Sequence, residues 1–545
     1  MMTNRFNLIE GSLYRSPLRL TEAADPQIHH RSWDLGYHHA KRGKALEPDN
    51  PAIGDRDSYV AGYNQAKKET ATQGSRSPDL GHSTRSENRP EQDIEPSMKL
   101  SLHDIPESVG RLATVINDAG GRALLIGGAV RDKLVGKTNK DYDIEVYGLH
   151  PDKLEELLGT LGKVDAVGKA FGVLKIVIGD DDFDVSVPRR ESKVGAGHKG
   201  FIPVPDPSMT IKEAARRRDF TMNTVAMDPH TGEVFDPYGG VDDLKNKILK
   251  ATDPTAFAED PLRILRGAQF AARFGMTVDP ETMQLMRQAS PELTDLPRER
   301  VGIEWGKLLL KGAKPSSGLD VMKESGALQS LHPELAEISN TGEWDQTKSA
   351  VDRATEITKN DSPEVKESVR FAALVHSLPP QGVAGVLHDG MDVRKKLSTR
   401  IERLVGEHSN VHDEMSNADI RHMAYRLAPK KPGDPTHGSI EELSRLVTAI
   451  RGGQSGDNLR RRAEVLGVNM EPPRPLIGGR ELMKLGIRGG PHMSGMIDGL
   501  YKQQLDGKIT NAENATQAAR DLANQQESLS LRLVKGGLYR TPLIS

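Results

Sequence analysis

The stretch LIGGAVRDKLVGKTNKDYDIEVYG, residues 125–148, joins an apolar run to two glycines and an Arg-Asp pair, then closes a polar loop with two aspartates one residue apart. ALLI (residues 123–126) predicts a buried strand. Gly127 and Gly128 let the backbone turn sharply after it and leave no side chain between its N–H groups and a ligand. A helix carrying Arg131 and Asp132 is expected next. In DYDIEVYG, Asp141 and Asp143 alternate with Tyr142 and Ile144, so both carboxylates project from one strand face, about 6.5–7 Å apart along the backbone. Close carboxylates repel unless a positive charge lies between them, and hard oxygen ligands favour Mg²⁺. A glycine turn beside such a pair suits phosphoryl transfer, which needs donors for a triphosphate and cations to activate a hydroxyl and stabilise leaving pyrophosphate. Asp184, in DDFDVSVPRRE (residues 181–191), is the candidate third carboxylate on a neighbouring strand.

Each part has an ordinary reading. Gly-Gly before a helix is commonly just a turn, and Asp-x-Asp is commonly a solvated strand end. The joint pattern is what points to chemistry.

The whole chain sets the frame. Its 545 residues exceed one core and imply roughly three to five units. The 74 basic and 77 acidic residues leave a net charge of −3, so any nucleic-acid surface must be local. Without cysteine, disulfides and thiolate metal sites are excluded. A mean hydropathy of −0.54, no apolar run near the ~20 residues of a membrane span and no secretory h-region predict a soluble, cytoplasmic protein. Residues 69–98 are polar and Pro/Gly/Ser-containing and read as a disordered linker. Strand signals cluster between Ala123 and Val187, and helical periods follow, which predicts an α/β head followed by helical domains.

Several ordered motifs carry a family resemblance. GGAVRD (residues 127–132) followed by KDYD (140–143) resembles the signature of class II tRNA nucleotidyltransferases, the CCA-adding enzymes, and of the related bacterial poly(A) polymerases. RRRDFTMN (216–223) looks like the family's Arg-Arg-Asp-x-x-x-Asn motif, FDPYGGVDDL (235–244) like the motif joining head to neck, and EDPLRILRGAQFAARFG (259–275) like its nucleotide-recognition helix. RERVGIEWGKLL (298–309) is similar to the motif that follows, and residues 189–209 stand where the family has a flexible loop. The resemblance implies a polymerase-β-like nucleotidyltransferase head with a mixed sheet, followed by all-helical neck, body and tail domains. It also implies Mg²⁺ held by Asp141 and Asp143, with tRNA, CTP and ATP as partners.

The residues themselves allow this. Arg218, Asp219 and Asn223 stand at helical spacing and offer a charged fork and an amide to a triphosphate and ribose, although three successive arginines also suit a solvated helix end. Asp260, Arg263 and Arg266 can share one helix face, with an amphipathic packing helix as the plain alternative. A carboxylate and a guanidinium can pair with the Watson–Crick edges of both cytosine and adenine. By resemblance, Asp260 and Arg263 form the protein template that selects CTP and then ATP, while Gly127, Gly128, Arg131, Arg218, Asp219, Asn223 and Arg266 belong to the bound nucleotide's site.

Downstream, residues 362–378 look like the helix that carries a His-Asp metal motif in members fused to a phosphohydrolase, but the pair here is His376-Ser377, and Lys348 stands where a ligating histidine is expected. His376 therefore reads as a satisfied core histidine in a degenerate metal site, and His388-Asp389 as coincidence. Residues 474–520 resemble the family's tRNA-gripping tail, with Lys484, Arg488 and Lys502 suited to phosphate contacts.

The expected organisation is an extension with a short helical repeat (1–68), linker (69–98), catalytic head (99–250), nucleotide-recognition neck (251–333), degenerate body (334–465), tail (466–530) and C-terminal segment (531–545). WDLGYHHAK (33–41) and YVAGYNQAK (59–67) form that repeat, which faintly resembles ribosome-modulation-factor-like proteins. GSLYRSPL (11–18) and GGLYRTPL (536–543) repeat one peptide at opposite ends and suggest an unknown partner. The expected activity is template-independent CCA addition to tRNA 3′ ends. Poly(A) polymerase, a partial CC- or A-adding enzyme and a noncatalytic RNA-binding or assembly protein are the alternatives.

Overall fold

The computed structural model describes residues 96–137, 141–165, 173–193, 201–428 and 436–537. The N-terminal repeat, most of the expected linker, Lys140 and the first terminal peptide lie outside these residues, as does most of the second. The chain divides into two compact units, Met1–Lys245 and Asn246–Ser545. The expected head boundary at residue 250 falls just after Ile248–Leu249, which pair in parallel with Thr277–Val278 of the second unit.

The first unit is built on an eight-stranded sheet. Its strands are β1 (Met98–Lys99), β2 (Arg122–Ile126), β3 (Tyr142–Tyr147), β4 (Lys163–Asp165), β5 (Val173–Ile178), β6 (Asp181–Ser186), β9 (Ala226–Met227) and β10 (Glu233–Phe235); β7 (Arg189–Lys193) and β8 (Phe201–Pro205) form a separate hairpin. The order is β1-β10-β9-β2-β3-β6-β5-β4, with β3 and β6 parallel and the other pairs antiparallel. The sheet thus reaches beyond the strand cluster expected at residues 123–187. Strands of two or three residues hold too little alternation to be read from sequence.

Alternation assigns each strand two faces. Leu125, Ile144, Val146, Leu174, Ile176, Phe183 and Val185 join helix α1 (Glu107–Asp118) and helix α3 (Pro151–Gly159) in one apolar core through Leu112, Ile116, Leu154 and Leu158. Each such side chain contributes about 1.5–3 kcal/mol when fully buried. On the other face Leu124, Ile126, Tyr147 and Phe235 meet Ile211 and Ala214 of α4 (Ile211–Arg216). The carboxylates share that second face.

The stretch expected as a flexible loop holds the β7–β8 hairpin. Its base is closed by the Asp206 N–H donating to the Pro188 carbonyl at 2.6 Å and by Arg190 Nε donating to Asp206 at 2.5 Å.

Among its described residues the second unit is built of helices and one short parallel strand pair. Its last helices, Gly479–Lys484, His492–Leu505 and Ala512–Gly537, gather an apolar cluster of their own around Leu482, Met496, Leu500 and Ala519. Among the described residues no helix is long and apolar enough to cross a membrane.

Candidate active site

Strand register builds the site. Ile126 pairs with Asp143, Asp143 with Asp184 and Asp184 with Lys175, so one transverse row of β2, β3, β6 and β5 carries two adjacent carboxylates and an ammonium. Lys175 Nζ lies 2.9 Å from Asp184 Oδ1. Asp141 stands immediately before β3, two residues from Asp143, close enough for its charge to act on that carboxyl.

The chain turns above this row. Gly127 adopts φ 64° and ψ −124° at the start of α2 (Gly128–Leu134), a conformation that favours glycine. A Cβ built there would lie 3.6 Å from Arg218 Nη1 and 3.7 Å from Asp143 Oδ2, so the turn, the arginine and the carboxylate are neighbours. Arg131 of α2 is buried and donates through Nη1 to Asn223 Oδ1 at 2.9 Å. The Asn223 amide donates to Asp219 Oδ1 at 2.8 Å, and the Asn223 carbonyl accepts from Arg218 Nη1 at 3.1 Å. Asp132 completes the network by accepting from Arg131 Nε at 2.8 Å.

FDPYGGVDDL braces this network from behind. Asp236 accepts the N–H groups of Gly240 and Val241 at 2.7 and 2.9 Å, and Asp243 accepts from the Thr221 hydroxyl at 2.7 Å. A Cβ on Gly240 would stand 2.1 Å from the Thr221 carbonyl oxygen, so only glycine allows α5 (Gly240–Lys245) to approach the turn that ends in Asn223.

Burial, with the charges of Asp184 and Asp141, pushes the Asp143 carboxyl up to about 8 despite the opposing Arg218 and Lys175 cations. A divalent ion would reverse that repulsion, and the donors are hard oxygens, so the residues present fit Mg²⁺. Among the described residues no group of three or more His, Asp or Glu forms a ready metal cage. Asp141 and Asp143 would be the protein's ligands to Mg²⁺, in keeping with the one or two carboxylates that usually hold that ion. Arg218 Nε, buried, has no hydrogen-bond partner among the described residues.

Three predicted residues belong to the second unit. Asp260 lies before the helix Leu262–Phe274 that carries Arg263 and Arg266, rather than within it on the face that the three residues could share. Its Oδ1 accepts the Leu262 N–H at 3.1 Å, and its Oδ2 accepts from Arg300 Nη2 at 2.9 Å. Arg263 donates to the Ala256 carbonyl, and the Arg266 guanidinium lies 5.3 Å from the Phe270 ring centre.

His376 caps the helix Pro363–Val375, with Nδ1 at 2.9 Å from the Ala373 carbonyl and Nε2 at 3.3 Å from the Ser377 hydroxyl. Lys348 pairs with Asp320 and Asp345, Asp389 pairs with Arg298, and His388 Nδ1 lies 2.9 Å from the Val393 carbonyl.

The sequence reading missed Glu145, Arg217, Lys175 and Arg300. Glu145 shares the face of Asp143 and is 1% exposed. Its carboxylate accepts from Tyr147 at 2.7 Å, Arg218 at 3.3 Å and Arg217 at 3.5 Å. Burial pushes this carboxyl up, but Arg218, Arg217 and Tyr147 outweigh it and hold it below its ordinary value. Its two-residue spacing from Asp143 was visible; pairing with arginines far along the chain was not.

The sequence and the fold have known counterparts. Residues 123–250 match the family of poly(A) polymerase head domains, and residues 275–339 match the probable RNA- and SrmB-binding site of polymerase A. The multifunctional CCA protein of Stenotrophomonas maltophilia (strain K279a) is 36% identical over 326 residues, which cover 54% of this chain and 78% of that protein. Its counterpart in Pasteurella multocida (strain Pm70) is 39% identical over 269 residues, covering 47% and 61% of the two chains. The fold resembles the Bacillus stearothermophilus CCA-adding enzyme in complex with CTP, with a TM-score of 0.60, 21% identity and coverage of 78% of this chain and 99% of that one. It also resembles the Thermotoga maritima CCA-adding enzyme complexed with tRNA, with a TM-score of 0.55, 20% identity and coverage of 76% and 95%.

Proposed function

The chain belongs to the family of class II tRNA nucleotidyltransferases and bacterial poly(A) polymerases, and from that membership we propose that it adds CCA to tRNA 3′ ends, using CTP and ATP and releasing pyrophosphate. The observation that carries the reading is the Asp143–Asp184 row beneath Gly127 and Arg218. The tRNA terminal 3′ oxygen forms the new bond to the α-phosphorus as the bond to pyrophosphate breaks, and the hydroxyl gives up its proton. We assign Asp184 as its acceptor, on the strength of its register with Asp143. Arg131 and Arg218 bind the triphosphate, and Asn223, oriented by Asp219, reaches the ribose. Asp141 and Asp143 would hold Mg²⁺, which when bound helps to activate the hydroxyl and neutralises charge on the phosphates.

Base choice is assigned to Asp260 and Arg263, a carboxylate and a guanidinium near the start of one helix, with Arg266 contacting the nucleotide. The exposed Lys484, Arg488 and Lys502 suit tRNA phosphates.

An end-extension assay tests this. Transcripts ending before CCA, at C and at CC would each receive CTP, ATP or both with Mg²⁺, beside an Asp141→Ala/Asp143→Ala control. Addition that halts at CCA and vanishes in the control is expected. Unlimited A addition to any RNA would identify a poly(A) polymerase, and arrest after CC or failure before it would identify a partial enzyme.

A further inference from the structure

Glu145 is an anomaly in its surroundings. It projects from the face of β3 where its β2 register partner, Leu124, and Tyr147 belong to an apolar cluster. A carboxylate there loses its hydration, and the loss is offset only by good partners. A well-packed apolar residue would commonly serve stability as well or better. What the charge supplies is position: one oxygen holds Arg217, and the other holds Arg218 and the Tyr147 hydroxyl.

Arg218 has a second carboxyl within reach. Gly127 stands beside both the Arg218 guanidinium and the Asp143 carboxylate, two residues from Glu145 on the same face. If Glu145 lost its charge, the Asp143 carboxyl would become the nearest competing acceptor for Arg218. A guanidinium drawn to Asp143 would leave the triphosphate and cover a carboxylate needed for the cation.

We propose that Glu145 is a positioning residue of the nucleotide site, holding Arg218 in its binding orientation and away from Asp143, with Arg217 as a second anchor. The proposal rests on the reading of Arg218 as a triphosphate ligand. Glu145 itself touches no reacting atom.

Equilibrium dialysis with CTP and with ATP, in Mg²⁺, tests it on the full chain, Glu145→Gln, Arg218→Ala and the double variant. Glu145→Gln is expected to weaken binding about tenfold, the scale of one charge-assisted hydrogen bond. The double variant is expected to bind no more weakly than Arg218→Ala alone, because Glu145 acts through that side chain. Unchanged binding by a folded Glu145→Gln, with only its melting temperature lowered, would reduce Glu145 to a fold brace and overturn the proposal. Losses that multiplied in the double variant would overturn it too. Should Glu145→Gln fail to fold, Tyr147→Phe loosens the same carboxylate without touching either arginine; binding weakened only when Arg218 is present supports the proposal, and unchanged binding refutes it. A native chain that bound neither nucleotide would instead overturn the functional reading, and this inference with it. Normal native binding with an insensitive variant would leave that reading standing.

Discussion

Asp143 of β3 and Asp184 of β6 are register partners on parallel strands, so two carboxylates share one face, with Lys175 Nζ 2.9 Å from Asp184 Oδ1. Burial and this proximity push Asp143 up to about 8. The folded protein therefore retains a proton that the unfolded chain releases near 3.8. It binds more protons than the unfolded chain in that window, so the contribution of Asp143 to the metal-free stability of the first unit should fall as pH rises from about 4 to about 8. Urea titrations across this range should show the decline, and Asp143→Asn should flatten it. Added Mg²⁺ should stabilise the protein and release protons; an equally steep slope in the variant would contradict this account.

Gly127→Ala should be costly without a clash. Its methyl would meet Arg218 and Asp143 at ordinary contact distance, but φ 64° with ψ −124° is strained for alanine, by about 1–3 kcal/mol. Urea denaturation should register that loss, and CTP binding should weaken as the turn relaxes. Full stability together with full binding would show that the turn tolerates a side chain.

Arg300→Ala probes base choice. Arg300 holds Asp260 Oδ2 at 2.9 Å. Freed of that contact, the carboxylate loses its orientation, and misincorporation of UTP and GTP should rise severalfold, less than the roughly 10–200-fold that one methylene in an apolar pocket is worth. Single-nucleotide extension ratios measure this. Unchanged ratios would remove Arg300 from the selection of bases.

The second unit should be acid-sensitive. Trp305 Nε1 donates to His332 Nε2 at 3.0 Å, and burial pushes the His332 imidazole down to about 4. Folding favours the neutral ring, so its contribution is present above about 6.5 and is lost as pH falls toward about 4. Tryptophan fluorescence in urea at descending pH should report the loss, and His332→Gln should remove this part of the slope. A flat profile in the native chain would show that the ring is free to protonate.

Sequence alone determined that residues 123–126 lie in a strand and that glycines end it, because these features depend on neighbours a few residues apart. It also singled out Arg131, Arg218, Asp219 and Asn223. Tertiary structure decided which of them meet: Arg131 reaches Asn223 across 92 positions, and Asp184 stands beside Asp143 only because β6 adds in parallel to β3. It also set Asp260 before its helix and gave it Arg300 as a partner. Glu145 shows the physical reason for the division. Its face followed from alternation, but whether a buried carboxylate there is a fault or a device depends on Arg217 and Arg218, which are brought to it by the fold.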